Sequence, residues 1–125
     1  METLEQVVAR ELDREGLDAL VAAFYRRVPG DDLLGPMYPS SDLEGAEERL
    51  RDFLKFRLLG DPMYQLKRGH PRLRMRHMPF SIGEAERDRW LSLMESAMEE
   101  TKVSAEAQRV LVPFFAQVAD FMRNQ

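Results

Sequence analysis

Apolar residues recur with the spacing of an α-helix in four separate segments of the chain, and this periodicity limits the fold more than any other feature. The first stripe consists of Leu17, Leu20, Val21, Phe24 and Val28, which follow the i, i+3, i+4, i+7 rule for one buried helical face. No segment of strand length alternates apolar and polar residues with period two. The sequence therefore predicts an all-α fold without a sheet.

Turn-forming residues separate the four stripes. Gly16 precedes the first stripe and residues 29–32 end it with turn chemistry, and the second stripe ends near residues 60–62. Pro113 falls inside the last stripe, where we expect a kink rather than a break because the apolar period continues past it. The three further stripes are Leu43, Ala46, Leu50, Phe53 and Leu54; Trp90, Leu91, Met94, Ala97 and Met98; and Ala107, Val110, Leu111, Phe114, Val118 and Phe121.

Candidate N-terminal caps stand before three of these stripes. Ser41 with Glu44, and Ser81 with Glu84, have the three-residue spacing of a capping box, in which each side chain satisfies a backbone N–H of the other residue. Ser104 is expected to cap the last helix. These caps predict where each helix begins.

Composition excludes several classes of function. At 125 residues the chain is expected to form a single domain, residues 1–125, with a core of its own. It has no cysteine, which excludes disulfides and thiolate metal sites, and its net charge of −4 argues against nucleic-acid binding. No apolar run is long enough to cross a bilayer. The first residues lack the order of a signal peptide, so we expect a cytoplasmic protein without membrane contact.

Both histidines lie in one irregular segment between Asp61 and Pro79, which has three prolines and no amphipathic period. Connections of this length inside a compact domain are usually functional. His77 precedes an apolar run that ends at Phe80, whereas His70 stands between glycine and proline and is expected to be a loop or surface residue. A metal shared by the two histidines would need carboxylate ligands as well. A haem needs only one axial imidazole, so one histidine is sufficient.

Five segments of the chain occur in a combination that is specific, although each segment alone is weak. They are Gly69–Phe80, Arg87-Asp88-Arg89-Trp90-Leu91 with Met94, Phe24-Tyr25, Met37-Tyr38-Pro39 and Asp42–Leu50. Together they resemble the truncated haemoglobins, most closely the second group of that family, over roughly residues 17–122. The resemblance implies a truncated globin fold, a two-over-two helical sandwich around haem b, with a long loop before the haem-binding histidine.

The resemblance also implies roles for individual residues. His77 matches the proximal histidine that binds the iron, and Arg76, Arg49 and Tyr64 match positions near the haem propionates. Three polar aromatic residues match the opposite, ligand-binding face, and Ala46 matches the position where larger globins place a distal histidine. The polar aromatic residues are Tyr25, Tyr38 and Trp90. The remaining apolar positions expected at the haem are Leu50, Phe53, Leu54, Leu73, Phe80 and Ile82.

Two interpretations of these residues stay open. Each aromatic residue, taken singly, is typical of a helical core, but three donors at matching positions favour a pocket that hydrogen-bonds a gas ligand. The basic residues between Lys67 and Arg76 suit the haem propionates better than nucleic acid in an acidic chain.

The sequence thus predicts a haem protein for dioxygen and other diatomic gases. Nitric oxide or peroxide redox chemistry, an unidentified reductase and a homodimer are left open, and the alternative is a haem-free, globin-shaped interaction module.

Overall fold

The computed structural model describes residues 2–62 and 81–125. The helices in these two segments are α1 (Leu4–Glu11), α2 (Asp13–Arg27), α3 (Leu43–Leu59), α4 (Glu84–Glu100) and α5 (Ala105–Met122). Two short 3₁₀ helices, Gly35–Met37 and Ser40–Asp42, lie between α2 and α3. No strand occurs among these residues, which confirms the all-α prediction.

Helix α2 lies at the centre of the described fold. It contacts α1, α3 and α4, while α4 also packs on α5, and α1 reaches both α3 and α5. The helix pairs α2–α3 and α4–α5 are therefore joined through the contact between α2 and α4. The largest fully buried side chains are those of Phe24, Phe115, Leu17, Leu20, Leu54, Leu58, Met94, Met98, Leu111, Val8 and Val21. All four predicted stripes contribute to this core.

The N-terminal part of the fold differs from the prediction. Helix α1 was not expected, although Thr3 and Gln6 form a capping box and Val7 and Val8 are buried. Helix α2 begins at Asp13, so Gly16 is inside the helix and does not mark its start. A Cβ at Gly16 would lie 2.7 Å from the Cβ of Leu12. Glycine is needed there because the chain turning from α1 into α2 passes too close for a side chain.

The two predicted capping boxes are wrong, whereas the serine cap is confirmed. Helix α3 has Asp42 at its N-cap, without a side-chain hydrogen bond, because Ser40–Asp42 is a 3₁₀ turn. Helix α4 is preceded by Gly83, whose N–H donates to the Glu86 carboxylate at 2.7 Å. Glycine has no side chain to complete the reciprocal bond, so only half of a box exists. The Ser104 hydroxyl accepts from Ala107 N–H at 3.1 Å, as expected.

Helix α5 runs through Pro113 to Met122 without a break, as predicted. Pro113 lies on the exposed side of the helix. Phe121 was predicted to face inward but is 57% exposed, and Met122 is buried instead. The buried positions Leu111, Phe115, Ala119 and Met122 follow the 3.6-residue period, and Phe121 falls one residue off this face.

The end of α3 is fixed by two neighbouring residues. Gly60 caps the helix in the left-handed conformation, with φ 73°, as its position in the sequence indicates. Asp61 is buried and binds Arg14 at the start of α2. From residue 63 to residue 80 the predicted irregular connection lies outside the described residues, with both histidines and the basic cluster. Within the described ranges no helix is long and apolar enough to span a membrane.

Candidate functional site

Tyr25 comes from the C-terminal half of α2, where the helical period turns it towards the interior. Its side chain is buried, and its ring centroid lies 5.0 Å from that of Phe24, its neighbour in sequence. Phe24 is buried completely and also contacts the ring of Trp90 at 5.3 Å. The ring of Phe24 therefore packs against both Tyr25 and Trp90.

Tyr38 reaches the same place from the turn that follows α2. The 3₁₀ helix Gly35–Met37 positions it, and Tyr38 N–H donates to the Gly35 carbonyl at 3.1 Å. The ring of Tyr38 meets the ring of Tyr25 edge-on, with their centroids 5.7 Å apart. This T-shaped geometry is favourable for aromatic pairs because the positive edge of one ring meets the negative face of the other.

Trp90 comes from the N-terminal half of α4 and is held between two phenylalanines. Its ring centroid lies 5.3 Å from Phe24 on α2 and 5.7 Å from Phe115 on α5. Phe115 was missed by the sequence prediction, although Leu111 four residues earlier gives the helical spacing that could have found it. The structure thus brings Tyr25, Tyr38 and Trp90, predicted to lie together, into one cluster, which we call the aromatic trio.

The polar ends of the aromatic trio lie together. An indole N–H can only donate, so in the contact between Trp90 and Tyr38 the Tyr38 hydroxyl is the acceptor. The Tyr25 hydroxyl lies beside that of Tyr38, and this contact raises the pKa of Tyr25 and lowers that of Tyr38. Each of the three side chains carries a hydrogen-bond donor.

Burial keeps both phenols of the trio protonated. Burial raises the pKa of Tyr25, and the neighbouring Tyr38 raises it further. Burial also raises the pKa of Tyr38, although its contacts with Tyr25 and Trp90 act in the opposite direction. A phenol already ionises only near pH 10 in water, so at neutral pH each keeps its proton. The trio consequently presents hydrogen-bond donors and no negative charge.

Helix α3 contributes one apolar stripe next to the trio. Phe53 and Leu54 are buried in the core, and Ala46 and Leu50 are half-buried and pack against it. Arg49 on the same helix donates to the Asp42 carboxylate at 2.6 Å, which lowers the pKa of Asp42. A propionate at Arg49 would therefore compete with Asp42.

Ile82 is the remaining predicted site residue that the structure describes, and it is buried just before α4. Tyr64, Leu73, Arg76, His77 and Phe80 lie outside the described residues, and their roles stay predictions. Among the residues described, no group of three or more histidine, cysteine, aspartate or glutamate side chains could hold a metal ion.

The described side chains fit a flat apolar cofactor with a polar ligand on one face. Half-buried Ala46, Leu50 and Trp90 provide apolar surface from two helices, and the trio places protonated donors beside it. An aromatic macrocycle gains free energy when it covers such a surface, roughly 25 cal/mol per Å² of apolar area removed from water. The donors of the trio could then hydrogen-bond a small ligand.

Comparison with known proteins gives a consistent result. Residues 13–124 match the family described as bacterial-like globin. A curated relative, group 2 truncated hemoglobin YjbI of Bacillus subtilis (strain 168), is 39% identical over 114 residues, which cover 91% of this chain and 86% of the relative. Two-on-two hemoglobin-3 of Arabidopsis thaliana is 28% identical over 116 residues, covering 88% of this chain and 66% of the relative.

Solved structures of similar proteins have the same fold. A thermostable hemoglobin from Thermobifida fusca is 41% identical with a TM-score of 0.86, and the match covers 98% of each chain. The group II truncated hemoglobin from Bacillus anthracis is 32% identical with a TM-score of 0.89, covering 95% of this chain and 91% of that one. The truncated-globin fold expected from the sequence is thereby confirmed.

Proposed function

Because the chain belongs to the bacterial-like globin family, we propose that it binds haem b and retains dioxygen or a related diatomic gas beside the aromatic trio. Haem, when bound, supplies an iron atom that coordinates such a gas. The observation that carries the proposal is the cluster of Tyr25, Tyr38 and Trp90, whose rings pack together with Phe24 and whose polar groups stay protonated. One of the similar solved structures is that of a truncated oxygen-avid haemoglobin from Bacillus subtilis.

The cofactor would lie between the trio and the segment that carries His77. His77 is proposed as the axial ligand of the iron, and Arg76 and Tyr64 as partners of the propionates. Ala46, Leu50 and Phe53 would cover one part of the ring, together with Leu54. The apolar lining is proposed to be completed by Leu73, Phe80 and Ile82.

The trio is proposed to slow the release of the gas. A hydrogen bond to a partly charged ligand contributes roughly 1.5–3 kcal/mol, which changes a dissociation rate by one to two decades. Because ring packing fixes the side chains of the trio, their donors are in place before the ligand arrives, and less rotational freedom is lost when it binds. Slow release suits capture, sensing or redox chemistry better than bulk transport.

The proposal also covers the electron donor, the cellular location and the oligomeric state. Nitric oxide or peroxide turnover would need an electron donor, and an unidentified reductase is the class of partner that would supply it. Residues 1–125 are proposed to form a single domain that acts in the cytoplasm. A homodimer would be compatible with this function but is not required by it.

Titration of the purified chain with hemin tests the proposed function. We expect a sharp Soret band that grows until hemin and chain are equimolar, and a further shift when the reduced protein meets carbon monoxide. Serum albumin, which takes up hemin without this fold, is the control for non-specific binding. A chain that stays colourless, with hemin spectra unchanged by its addition, would leave the haem-free interaction module as the better interpretation.

A further inference from the structure

Asp31, in the turn after α2, is the centre of a hydrogen-bonded cluster that is separate from the aromatic trio. Its side chain is only 7% exposed. One carboxylate oxygen accepts from the N–H groups of Leu33 and Leu34 at 3.2 and 2.9 Å. The other accepts from the Arg89 guanidinium at 2.5 Å. The carboxylate is therefore held by two backbone groups of its own turn and by one side chain of α4.

Backbone hydrogen bonds connect Asp31 to Tyr38. Gly35 N–H donates to the Asp31 carbonyl at 2.9 Å, and Tyr38 N–H donates to the Gly35 carbonyl at 3.1 Å. The turn from residue 31 to residue 38 consequently behaves as one hydrogen-bonded unit. A displacement of Asp31 would be passed along this unit to the ring of Tyr38.

Arg89 connects the same cluster to Trp90, its neighbour on α4. Since both residues belong to one helix, the position of the Arg89 backbone fixes that of Trp90. The Asp31–Arg89 pair thus joins the element that carries Tyr38 to the element that carries Trp90. The polar groups of these two residues of the aromatic trio lie in contact.

We propose that Asp31 and Arg89 are positioning residues, which set the distance and angle at which the Trp90 indole meets the Tyr38 hydroxyl. The proposal rests on the proposed function only where it concerns the bound gas. An exposed ion pair would contribute little and would position nothing. Here the carboxylate is buried and bonded to three donors, so loss of Arg89 leaves a buried charge with fewer partners, and the turn has to relax.

Arg87 provides a matched control on the same helix. Its guanidinium donates to Asp120 on α5 at 2.5 Å and to Asp88 at 2.8 Å, so it ties α4 to α5 and does not contact the turn of Asp31. Arg87→Gln and Arg89→Gln each remove one ionic link of α4. Only the second variant is expected to change the aromatic trio.

The experiment compares wild type, Arg87→Gln, Arg89→Gln, Arg89→Lys, Asp31→Asn and the double variant Asp31→Asn/Arg89→Gln. Trp90 is the only tryptophan, so its indole N–H gives a single resonance in a ¹⁵N–¹H NMR spectrum. This resonance can be followed before hemin is added and in the diamagnetic carbon monoxide complex. The C–O stretching band and the rate of dioxygen release report whether the bound gas experiences the same change.

We expect Arg89→Gln and Asp31→Asn to shift the indole resonance and to speed dioxygen release by roughly three-fold or more, as a weakened hydrogen bond would. Arg89→Lys should restore part of the shift, and the double variant should resemble the single ones because both changes break one link. The proposal is overturned if Arg89→Gln leaves the resonance and the stretching band as Arg87→Gln does. If wild type takes up no hemin, the proposed function fails, and the indole resonance still decides the positioning role.

Discussion

Ile82 and Asn124 hold each other through a reciprocal pair of hydrogen bonds. Ile82 N–H donates to the side-chain oxygen of Asn124 at 2.9 Å, and Asn124 N–H donates to the Ile82 carbonyl at the same distance. The residues after α5 are thereby tied to the segment that leads into α4. Ile82 is buried and is one of the positions expected at the haem.

Asn124→Ala should lower the free energy of unfolding by roughly 1–2 kcal/mol, because the N–H of Ile82 loses its acceptor. The midpoint of a urea titration measures this, and the slope m should not change. The hemin-loaded variant should also lose its cofactor to an acceptor protein faster than wild type. Arg123→Ala, at the adjacent position, is the control. Equal midpoints for the two variants would show that the side-chain hydrogen bond of Asn124 contributes nothing to stability.

Gly60→Ala should destabilise the fold by roughly 1–2 kcal/mol, because φ is 73° and an L side chain is strained there. Nothing lies within 4 Å of a Cβ built at Gly60, so the loss would measure backbone strain alone. The control is Gly30→Ala, where the added Cβ also meets nothing within 4 Å and no such φ occurs. Thermal unfolding of both should give a lowered midpoint for Gly60→Ala only. A comparable loss in Gly30→Ala would contradict this explanation.

His77→Ala should abolish tight hemin binding, whereas His70→Ala should leave it nearly unchanged. The prediction comes from the sequence around each imidazole, since both residues lie outside the part of the chain that the structure describes. Titration with hemin, followed at the Soret band, compares the two variants directly. Similar affinities, or greater damage from loss of His70, would show that the axial ligand has been assigned to the wrong histidine.

Trp90→Phe should speed dioxygen release by roughly ten-fold or more, because it keeps much of the ring volume but deletes one donor of the aromatic trio. Tyr25→Phe should act in the same cluster, so the two changes should not be additive. Stopped-flow dissociation rates of the two single variants, the double variant and wild type test this. Met94→Leu, four residues further along α4, is a volume-conserving control. Unchanged rates in both single variants would mean that the trio is only packing.

The contribution of Asp31 to stability should depend on pH. Burial opposes ionisation of Asp31, but the hydrogen bonds from Leu34, Arg89 and Leu33 outweigh it, and its pKa lies below the ordinary value of 3.8. The ionised form therefore stabilises the fold above about pH 3.8, and this contribution is lost as the pH falls through the lower, folded-state pKa.

The difference in unfolding free energy between wild type and Asp31→Asn should therefore be constant near neutral pH and shrink below about pH 3.8. Urea titrations across this range measure it. Arg89 and Asp32 are the charged groups at this carboxylate, and Arg89 stays protonated throughout. A difference that does not change down to the acid limit of folding would contradict the assignment.

The sequence by itself determined helices α2 to α5 and most of the core. Apolar stripes of period 3.6 predict α2 to α5 because each helix has to bury one face, and this requirement can be read locally. Gly60 and Ser104 end and begin helices as predicted, since a left-handed cap and a hydroxyl N-cap depend on single residues. The local sequence was less reliable at Ser41 and Ser81, which were expected to cap α3 and α4. The residues that precede these helices are Asp42 and Gly83 instead.

Only the tertiary structure decided which polar groups meet. Tyr25, Tyr38 and Trp90 were expected in one pocket by resemblance, but the ring contacts that bring them together, through Phe24 and Phe115, depend on how α2, α4 and α5 pack. The pairing of Asp31 with Arg89 joins residues far apart in sequence. Opposite charges are common in this chain, and no local pattern specifies which of them become neighbours. Their contact is set by the packing of whole helices, which buries one carboxylate and leaves its neighbour Asp32 in water.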